Sequence, residues 1–469
     1  MAYRIEHDLL GEREVPADAY YGIHTLRAAE NFGLAGRPLH SQLIGALAAV
    51  KKAAALANRE AGLLEPRLAE AIAAACDEVM AGQWREQFIV DALQGGAGTS
   101  ANLNLDEVLA NRALELLGAA KGDYGLIHPL NHVNLSQSTN DVFPTAVRIA
   151  VLQRLKPLSE ALADLQAALQ RKEEEFAGVI KMGRTELQDA LPVMLGQEFG
   201  AYAQAIARDR WRIYKAEERL RQVNLGGTAV GTGLNAERRY IYAVIEKLRE
   251  VTGLGLARAE QMMDPTQNND VFAEVSGMLK AAAVNLAKIA NDLRLLASGP
   301  AAGLAEINLP ELQAGSSIMP GKINPVIPEA VRQAAYQVMA NDLAITLGAQ
   351  AGELELNATL PLIADNLLTS VDLLHRAAQV FRERCIAGIT ANPERCRALL
   401  EAGFGYATAL VPYLGYERAT ELVRRARREG RTIRQAAQEA GWLTPEQLER
   451  ILDPYQLTRP GIAGKNGNK

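Results

Sequence analysis

Residues 270–298 read DVFAEVSGMLKAAAVNLAKIANDLRLLAS, and their pattern of apolar residues indicates the fold class. Its apolar residues recur at spacings of three and four, which places them on one face of a helix. They are Val275, Met278, Ala282, Leu286, Ile289, Leu293 and Leu296. A helix this long buries such a stripe against other long helices, so the segment predicts a helix bundle.

Four further stretches carry the same long helical pattern. They cover about 145–176, 201–223, 324–353 and 360–389, whereas a helix usually has about 11 or 12 residues. Aromatic residues make up only 5% of the chain, and small residues among the apolar ones allow helices to approach closely. We therefore expect an all-α fold with a long-helix bundle core, and a homo-oligomer whose helices pair between subunits.

Two shifts in composition divide the chain into three regions. Residues 1–140 mix short helical patterns with loops, residues 141–395 contain the long helices, and residues 396–469 are polar and rich in arginine. These regions predict a smaller N-terminal domain, a central long-helix bundle domain and a small C-terminal domain.

The arginine-rich region near the C-terminus has two interpretations. Its pattern is loosely that of two short helices about Gly441, as in a helix-turn-helix that binds DNA. Acidic residues such as Glu429 and Glu439 balance the arginines and favour an ordinary solvated face.

Charge and hydropathy exclude several kinds of partner. Fifty basic residues against 55 acidic residues give a net charge of −5, so the chain has no overall positive field that would attract nucleic acid. No apolar run reaches the roughly 20 residues that cross a bilayer. The first ten residues carry charges where an export signal needs an apolar core. We expect a cytoplasmic protein without a membrane or nucleic-acid partner.

Cysteine and histidine spacing predicts no metal site. The three cysteines form no CxxC pair, and Pro129 separates His128 from His132, so these histidines do not share one regular helical face. The glycine motif at 231–236 resembles a dinucleotide fingerprint but lacks the preceding strand, which favours a turn between helices.

Four stretches place hydroxyl and amide side chains directly ahead of a helical pattern. They are residues 95–102, 134–141, 183–189 and 315–325. A single such stretch is explained by helix capping. Because the free NH groups at a helix start bind anions, four starts that converge would form a carboxylate pocket. In the fourth stretch, Gly315 and Gly321 allow hinge motion and Lys322 adds a positive charge, as in a flap that closes over an anion.

The fourth stretch reads GSSIMPGKINP and resembles the signature of the aspartase/fumarase superfamily over eleven positions. The resemblance covers nearly the whole chain, and QGGAGTS at 94–100 and SQSTND at 136–141 are most similar to the aspartase branch. It implies reversible elimination of ammonia from L-aspartate to give fumarate through an enediolate. Hydration of fumarate to L-malate is the alternative activity, and a non-catalytic structural or DNA-binding role is the alternative of another class.

The resemblance also implies a role for each polar residue of the four loops. It assigns Thr99, Ser138, Thr139 and Ser317 to the β-carboxylate, Lys322 and Asn324 to the α-carboxylate, Asn140 and Thr185 to the amino group, and Ser316 to the general base. It further implies a dicarboxylate substrate, no organic cofactor, and a homotetramer whose active sites are each assembled from three chains.

One position departs from the family pattern. Glu186 follows Thr185 where the family commonly has histidine or glutamine. A carboxylate at this position can pair with the ammonium of the substrate. We therefore expect Glu186 to bind the amino group or to assist its departure, and the alternative is a carboxylate turned toward solvent or toward a structural arginine.

Overall fold

The computed structural model describes residues 2–465, and helices dominate this part of the chain. The helices are α1 Ile23–Asn31, α2 Ser41–Glu60, α3 Pro66–Met80, α4 Thr99–Leu116, α5 Thr139–Glu175, α6 Leu195–Leu220, α7 Arg238–Thr252, α8 Asp264–Gln267, α9 Asp270–Leu296, α10 Val326–Gln350, α11 Leu360–Arg384, α12 Pro393–Ala402, α13 Tyr406–Leu414, α14 Tyr416–Glu429, α15 Ile433–Ala440, α16 Pro445–Ile451 and α17 Pro454–Leu457.

The five long helices expected from the sequence are α5, α6, α9, α10 and α11, with 37, 26, 27, 25 and 25 residues. The all-α prediction is confirmed. Helix α9 lies within the stretch 270–298, and its apolar stripe is buried except for Met278, which is half-buried. The 3.6-residue period of the sequence therefore reports which face of α9 lies in the core.

Short strands accompany the helices and form four two-stranded sheets within the described residues. They are β1 Tyr3–Asp8, β2 Gly11–Pro16, β3 Ile180–Thr185, β4 Gln188–Met194, β5 Gln222–Val223, β6 Ala257–Arg258, β7 Ile307–Asn308 and β8 Thr390–Ala391. The pairs β1–β2, β3–β4 and β7–β8 are antiparallel and β5–β6 is parallel. Hydrophobic periodicity did not predict them. Strands β5 to β8 have only two residues each, and the six- or seven-residue strands β1 to β4 do not alternate regularly between buried and exposed residues.

Helix α6 starts six residues before the predicted start at 201. Gly196 and Gly200 in its first turns obscured the helical pattern, because glycine disfavours a helix. Both glycines allow a close approach of Glu173. A Cβ at Gly196 would lie 2.4 Å from the Glu173 carbonyl oxygen, and one at Gly200 would lie 2.5 Å from its Oε1. Close packing explains why poor helix formers stand here.

The described residues divide into two compact units. The first unit contains 2–160, 211–283 and 335–375, and the second contains 161–210, 284–334 and 376–465. Each of the five long helices contributes residues to both units. The division of the chain at 140 and 395 stays a prediction.

Within the second unit, the β3–β4 hairpin packs on the C-terminal helices. Met182 and Met194 of the hairpin share one hydrophobic core with Leu410, Leu422 and Ile433. This core fixes the base of the hairpin, whose tip carries two of the predicted site residues.

The arginine-rich C-terminal region has the fold that the sequence suggested. Helices α15 and α16 flank Gly441, which adopts a left-handed φ of 65°. Arg425 pairs with Glu429 at 3.2 Å and with Glu439 at 3.1 Å, and Arg431 pairs with Glu439. These ion pairs neutralise much of the positive charge, which supports a solvated face rather than a DNA-binding surface.

The three cysteines are free and buried. Burial raises the pKa of the Cys385 thiol to about 12 and that of Cys396 to about 11. Thiols with such pKa values stay protonated and unreactive. Among residues 2–465, no helix combines the length and the hydropathy needed to cross a membrane.

The close approach at α6 predicts opposite effects for two helical glycines. We expect Gly196→Ala to lower the free energy of unfolding by about 2 kcal/mol, because its methyl group would overlap the Glu173 carbonyl oxygen. Gly45→Ala in α2 is the matched control, since nothing lies within 4 Å of the added carbon. It should raise stability by about 0.5 kcal/mol through helix propensity. Urea denaturation measures both, and equal changes in the two variants would contradict the packing argument.

Candidate active site

The first predicted loop ends at the start of α4, as the sequence suggested. Gly98 precedes the helix with φ 95°, and a Cβ on it would lie 2.4 Å from the Phe143 ring. Only glycine fits this conformation and this contact. Thr99, the first residue of α4, is exposed, and its hydroxyl donates to the Gly96 carbonyl at 2.7 Å. The Thr99 oxygen is thereby held at the start of the helix with lone pairs still available.

The second predicted loop ends at the start of α5. Ser138 stands just before the helix, and its hydroxyl oxygen accepts from the Asn140 backbone NH at 3.2 Å. Thr139 is the first helical residue and is buried. The Asn140 amide nitrogen donates to the Ala229 carbonyl at 2.7 Å, so its direction is fixed.

The buried carboxylate of Asp141 joins this helix start to a glycine-rich segment. Its Oδ1 accepts from the Ser138 backbone NH at 3.0 Å. Its Oδ2 accepts from the backbone NH groups of Gly226 and Thr228, each at 3.0 Å. Burial raises the pKa of Asp141 to about 6, and the three NH donors oppose that rise because they stabilise the charged form. At neutral pH a carboxylate therefore holds the two segments together.

These helix starts and the glycine-rich segment enclose a pocket of about 460 Å³ in the first unit. Its lining residues are mostly small and polar, namely Thr99, Asn102, Leu103, Asn134, Ser136, Gln137, Ser138, Thr139, Thr228, Ala229, Leu234 and Asn235. The structure thus brings together three predicted site residues, Thr99, Ser138 and Thr139. Asn140 adjoins the pocket through its bond to Ala229.

Sequence reasoning missed one wall of this pocket. Residues 231–236 were interpreted only as a turn between helices, which they are, yet Asn235 of this turn lines the pocket, as does Thr228 just before it. Both have left-handed φ angles, 56° and 66°. The signal was present in Gly226, Gly227 and Gly231, because glycines concentrated between helices mark backbone that approaches another group closely. A Cβ at Gly231 would lie 2.5 Å from the Met263 backbone.

The third predicted loop is not a helix start. Residues 183–189 form the end of a β-hairpin, with Thr185 paired to Gln188 across β3 and β4. Glu186 and Leu187 make the two-residue turn, with φ angles of 52° and 62°. Left-handed φ at both positions is the pattern of a type I′ turn, which normally carries asparagine and glycine. Thr185 and Glu186 are therefore exposed at the strained tip of the hairpin, in the second unit.

A buried group of charges holds β3 below this turn. The side chain of Lys181 is 1% exposed, and its ammonium lies 2.8 Å from Glu198 Oε1 and 3.2 Å from Glu306 Oε2. Arg184, next to Thr185, donates to Glu306 at 3.0 Å. Burial raises the pKa of Glu198, and the nearby ammonium of Lys181 opposes part of that rise. The pairing fixes the strand that leads into the turn.

The fourth predicted loop is an exposed flap closed at its base. The Gly315 NH donates to the Lys322 carbonyl at 2.8 Å, and the Asn324 amide nitrogen donates to the Gly315 carbonyl at 2.7 Å. Ser316 Oγ accepts from the backbone NH groups of Ile318 and Met319 at 3.2 and 3.0 Å. Ser317 and Lys322 are exposed on the same loop. All four predicted residues of this loop lie in the second unit, as do Thr185 and Glu186.

The strained turn at Glu186 and Leu187 predicts a stabilising substitution. Leu187→Gly should raise the free energy of unfolding by about 1 kcal/mol, because glycine adopts the left-handed conformation without a steric cost. Leu187 is 69% exposed, so removing its side chain sacrifices little burial. Gln188→Gly, on the exposed strand position beside it, should instead lose about 0.5 kcal/mol. Thermal unfolding of the two variants tests this, and a loss of stability in both would refute the strain.

Most of this chain matches known protein families. The family described as Lyase matches residues 11–340, and the one described as Fumarase C C-terminus matches residues 407–459. An aspartate ammonia-lyase from Bacillus sp is 54% identical over 462 residues, which cover 98% of this chain and 99% of that protein.

Two solved structures extend the comparison. The fumarate lyase:delta crystallin from Brucella melitensis bound to cobalt is 51% identical with a TM-score of 0.95, and the match covers 98% of this chain and all of that one. A class II fumarase from Schistosoma mansoni is 34% identical with a TM-score of 0.94 over the same shares. Within residues 2–465 of this chain, no group of three or more histidine, cysteine, aspartate or glutamate side chains is arranged to hold a metal ion.

Proposed function

The chain belongs to the aspartase/fumarase superfamily of lyases, and from that premise we propose that it eliminates ammonia from L-aspartate to give fumarate, reversibly. The observation that carries this proposal is the 54% identity, over nearly the whole chain, to a protein named aspartate ammonia-lyase. The class II fumarase is less similar, at 34% identity. Carbon–nitrogen bond cleavage is therefore favoured over hydration of fumarate.

The chemistry of the reaction explains why a pocket of donors is needed. A base removes a proton from the carbon beside the β-carboxylate, and the electron pair moves into that carboxylate as an enediolate. The carbon–nitrogen bond then breaks, ammonia leaves, and the pair forms the double bond of fumarate. Because the enediolate gathers charge on oxygen, donors fixed in advance lower the barrier.

The helix starts of the first unit suit this charge. We assign Thr99, Ser138 and Thr139, together with Ser317 of the flap, to the β-carboxylate. The pocket between α4 and α5 supports the first three assignments, since hydroxyl groups and the positive ends of two helix dipoles stabilise an anion. Lys322 and Asn324 are assigned to the α-carboxylate.

The amino group is assigned to Asn140, Thr185 and Glu186. The Asn140 amide nitrogen is already bonded to the Ala229 carbonyl, which leaves Oδ1 as an acceptor for an ammonium group. Glu186 is exposed and its carboxylate can offset the ammonium charge.

Ser316 is assigned as the general base. A serine hydroxyl is a very weak acid, so its ionised form needs strong stabilisation. The NH groups of Ile318 and Met319 donate to Ser316 Oγ and favour that ionised form. Closure of the flap would remove water from Ser316 and bring the charge of Lys322 near it, which strengthens both effects.

We further propose a homotetramer with each site assembled from three chains. Large apolar side chains are exposed along α9 and α10, including Val284, Leu343 and Leu347, which are 50%, 61% and 53% exposed. An exposed stripe of this kind on long helices is typical of a subunit interface. A cytoplasmic location stays a prediction.

A substrate panel tests the proposed reaction. The purified chain should release ammonia and fumarate from L-aspartate, followed by ultraviolet absorbance, and should form little fumarate from L-malate. Ser316→Ala should lose turnover by at least about a hundredfold, within the usual contribution of a general base. Ser41→Ala, an exposed serine of α2, is the matched control and should keep full activity. Efficient conversion of L-malate alone would instead identify a fumarate hydratase, and an active Ser316→Ala variant would refute the base assignment.

The role of Glu186 requires a separate comparison. Glu186→Gln should reduce kcat/KM for L-aspartate about tenfold, because a neutral amide offsets the ammonium charge less well. Inhibition by succinate should be unchanged, since succinate has no amino group. Glu65→Gln, an exposed residue ahead of α3, controls for the lost surface charge. Unchanged turnover of L-aspartate would remove Glu186 from the amine site.

A further inference from the structure

Behind the pocket lies a buried ion pair to which the reaction assigns no role. Lys51 on α2 and Asp106 on α4 are both fully buried, with Lys51 Nζ 2.7 Å from Asp106 Oδ1. The same ammonium donates to Asn134 Oδ1 at 2.7 Å. Asn134 lines the pocket, whereas Lys51 and Asp106 do not. The buried ion pair is therefore linked to the pocket through the amide of Asn134.

The ion pair fixes the direction of two amides. A lysine ammonium has only donors, so the Asn134 group that faces Lys51 is its oxygen. Burial raises the pKa of Asp106 to about 6, against the influence of Lys51, so at neutral pH this group is a carboxylate with only acceptors. Its Oδ2 lies 3.2 Å from the Asn102 amide nitrogen. The Asn102 nitrogen therefore faces the ion pair, as the Asn134 oxygen does.

The amides of Asn102 and Asn134 are also hydrogen-bonded to each other. Asn102 Nδ2 also donates to Asn134 Oδ1 at 3.2 Å, so this oxygen accepts from both Lys51 and Asn102. The end of the Asn134 amide that is left for the pocket is its NH2 group. An NH2 group is a donor of two hydrogen bonds, and a carboxylate is an acceptor. The two donors on Asn134 Oδ1 thus determine the orientation of this amide.

We propose that Asn134 is a further carboxylate-binding residue of the pocket, and that Lys51 and Asp106 are positioning residues that hold its amide nitrogen toward the substrate. The proposal rests on the proposed function in that the ligand is a dicarboxylate. It adds a donor between the two helix starts, since Asn134 and Ser138 belong to the same loop ahead of α5 and Asn102 lies on α4.

Asn134→Asp tests the donor with minimal change of shape. Aspartate keeps an oxygen for Lys51 and exchanges only the NH2 group for a second oxygen. We expect the full-length variant to bind succinate at least about tenfold more weakly than wild type at neutral pH, measured by isothermal titration calorimetry. The KM for L-aspartate should rise in parallel, with an unchanged melting temperature.

Asn235→Asp is the matched control, because Asn235 is an exposed residue of the same pocket. It introduces the same charge without removing the proposed donor, so succinate binding should weaken about threefold at most. Equal losses in the two variants would mean that the pocket senses only added charge, which overturns the assignment of Asn134.

A double-mutant comparison tests the positioning role. Removing Lys51 alone would leave a buried unpaired carboxylate and endanger the fold. Lys51→Met combined with Asp106→Leu removes both charges, so the Asn134 amide can rotate. In that background, Asn134→Asp should weaken succinate binding by less than about threefold. A full tenfold loss there would show that the ion pair does not orient Asn134.

The same measurements separate this inference from the proposed reaction. If wild type binds succinate but releases no ammonia from L-aspartate, the proposed reaction is wrong. The ratio of the succinate dissociation constants of the two variants still tests the role of Asn134. If wild type does not bind succinate, both proposals fail.

Discussion

The carboxylate of Asp141 is the contact on which the candidate pocket depends. One side chain accepts hydrogen bonds from the backbone of two segments more than eighty residues apart, 138 at the start of α5 and 226–228 before α7. Without an acceptor at this point, the buried NH groups of Gly226 and Thr228 and the partly buried NH group of Ser138 would lose this partner, which is costly. The carboxylate of Asp141, together with the bond from the Asn140 amide to the Ala229 carbonyl, therefore holds the pocket wall formed by 228–235.

A helical protein has few ways to build a polar pocket. Inside a helix the backbone groups bond to one another, so free NH groups occur only at the starts. This chain uses the starts of α4 and α5, and it supports them with the buried side chains of Lys51 and Asp106 and with the half-buried Asn134. Small side chains and glycines keep the space open, since larger residues would fill it. The pocket is thus a gap between helix ends, lined by the groups that those ends leave unsatisfied.

The sequence allowed much of the fold to be predicted, and the failures have physical causes. Helix α9 was placed within two residues because its apolar stripe is long and regular. The start of α6 was missed because Gly196 serves a contact with Glu173 and not the helix itself. The β3–β4 hairpin was missed because its turn consists of Glu186 and Leu187, residues that do not indicate a type I′ turn. Local patterns describe local structure, and these exceptions are set by tertiary contacts and strain.

The contact between Gly98 and Phe143 has a consequence for how this pocket can change during evolution. Any side chain at position 98 would overlap the aromatic ring and would also have to adopt φ 95°. A smaller residue at 143 would relieve the overlap but not the backbone requirement. Substitutions at these two positions are therefore epistatic, and lineages that diversify substrate preference are expected to vary the polar lining while this pair stays constant.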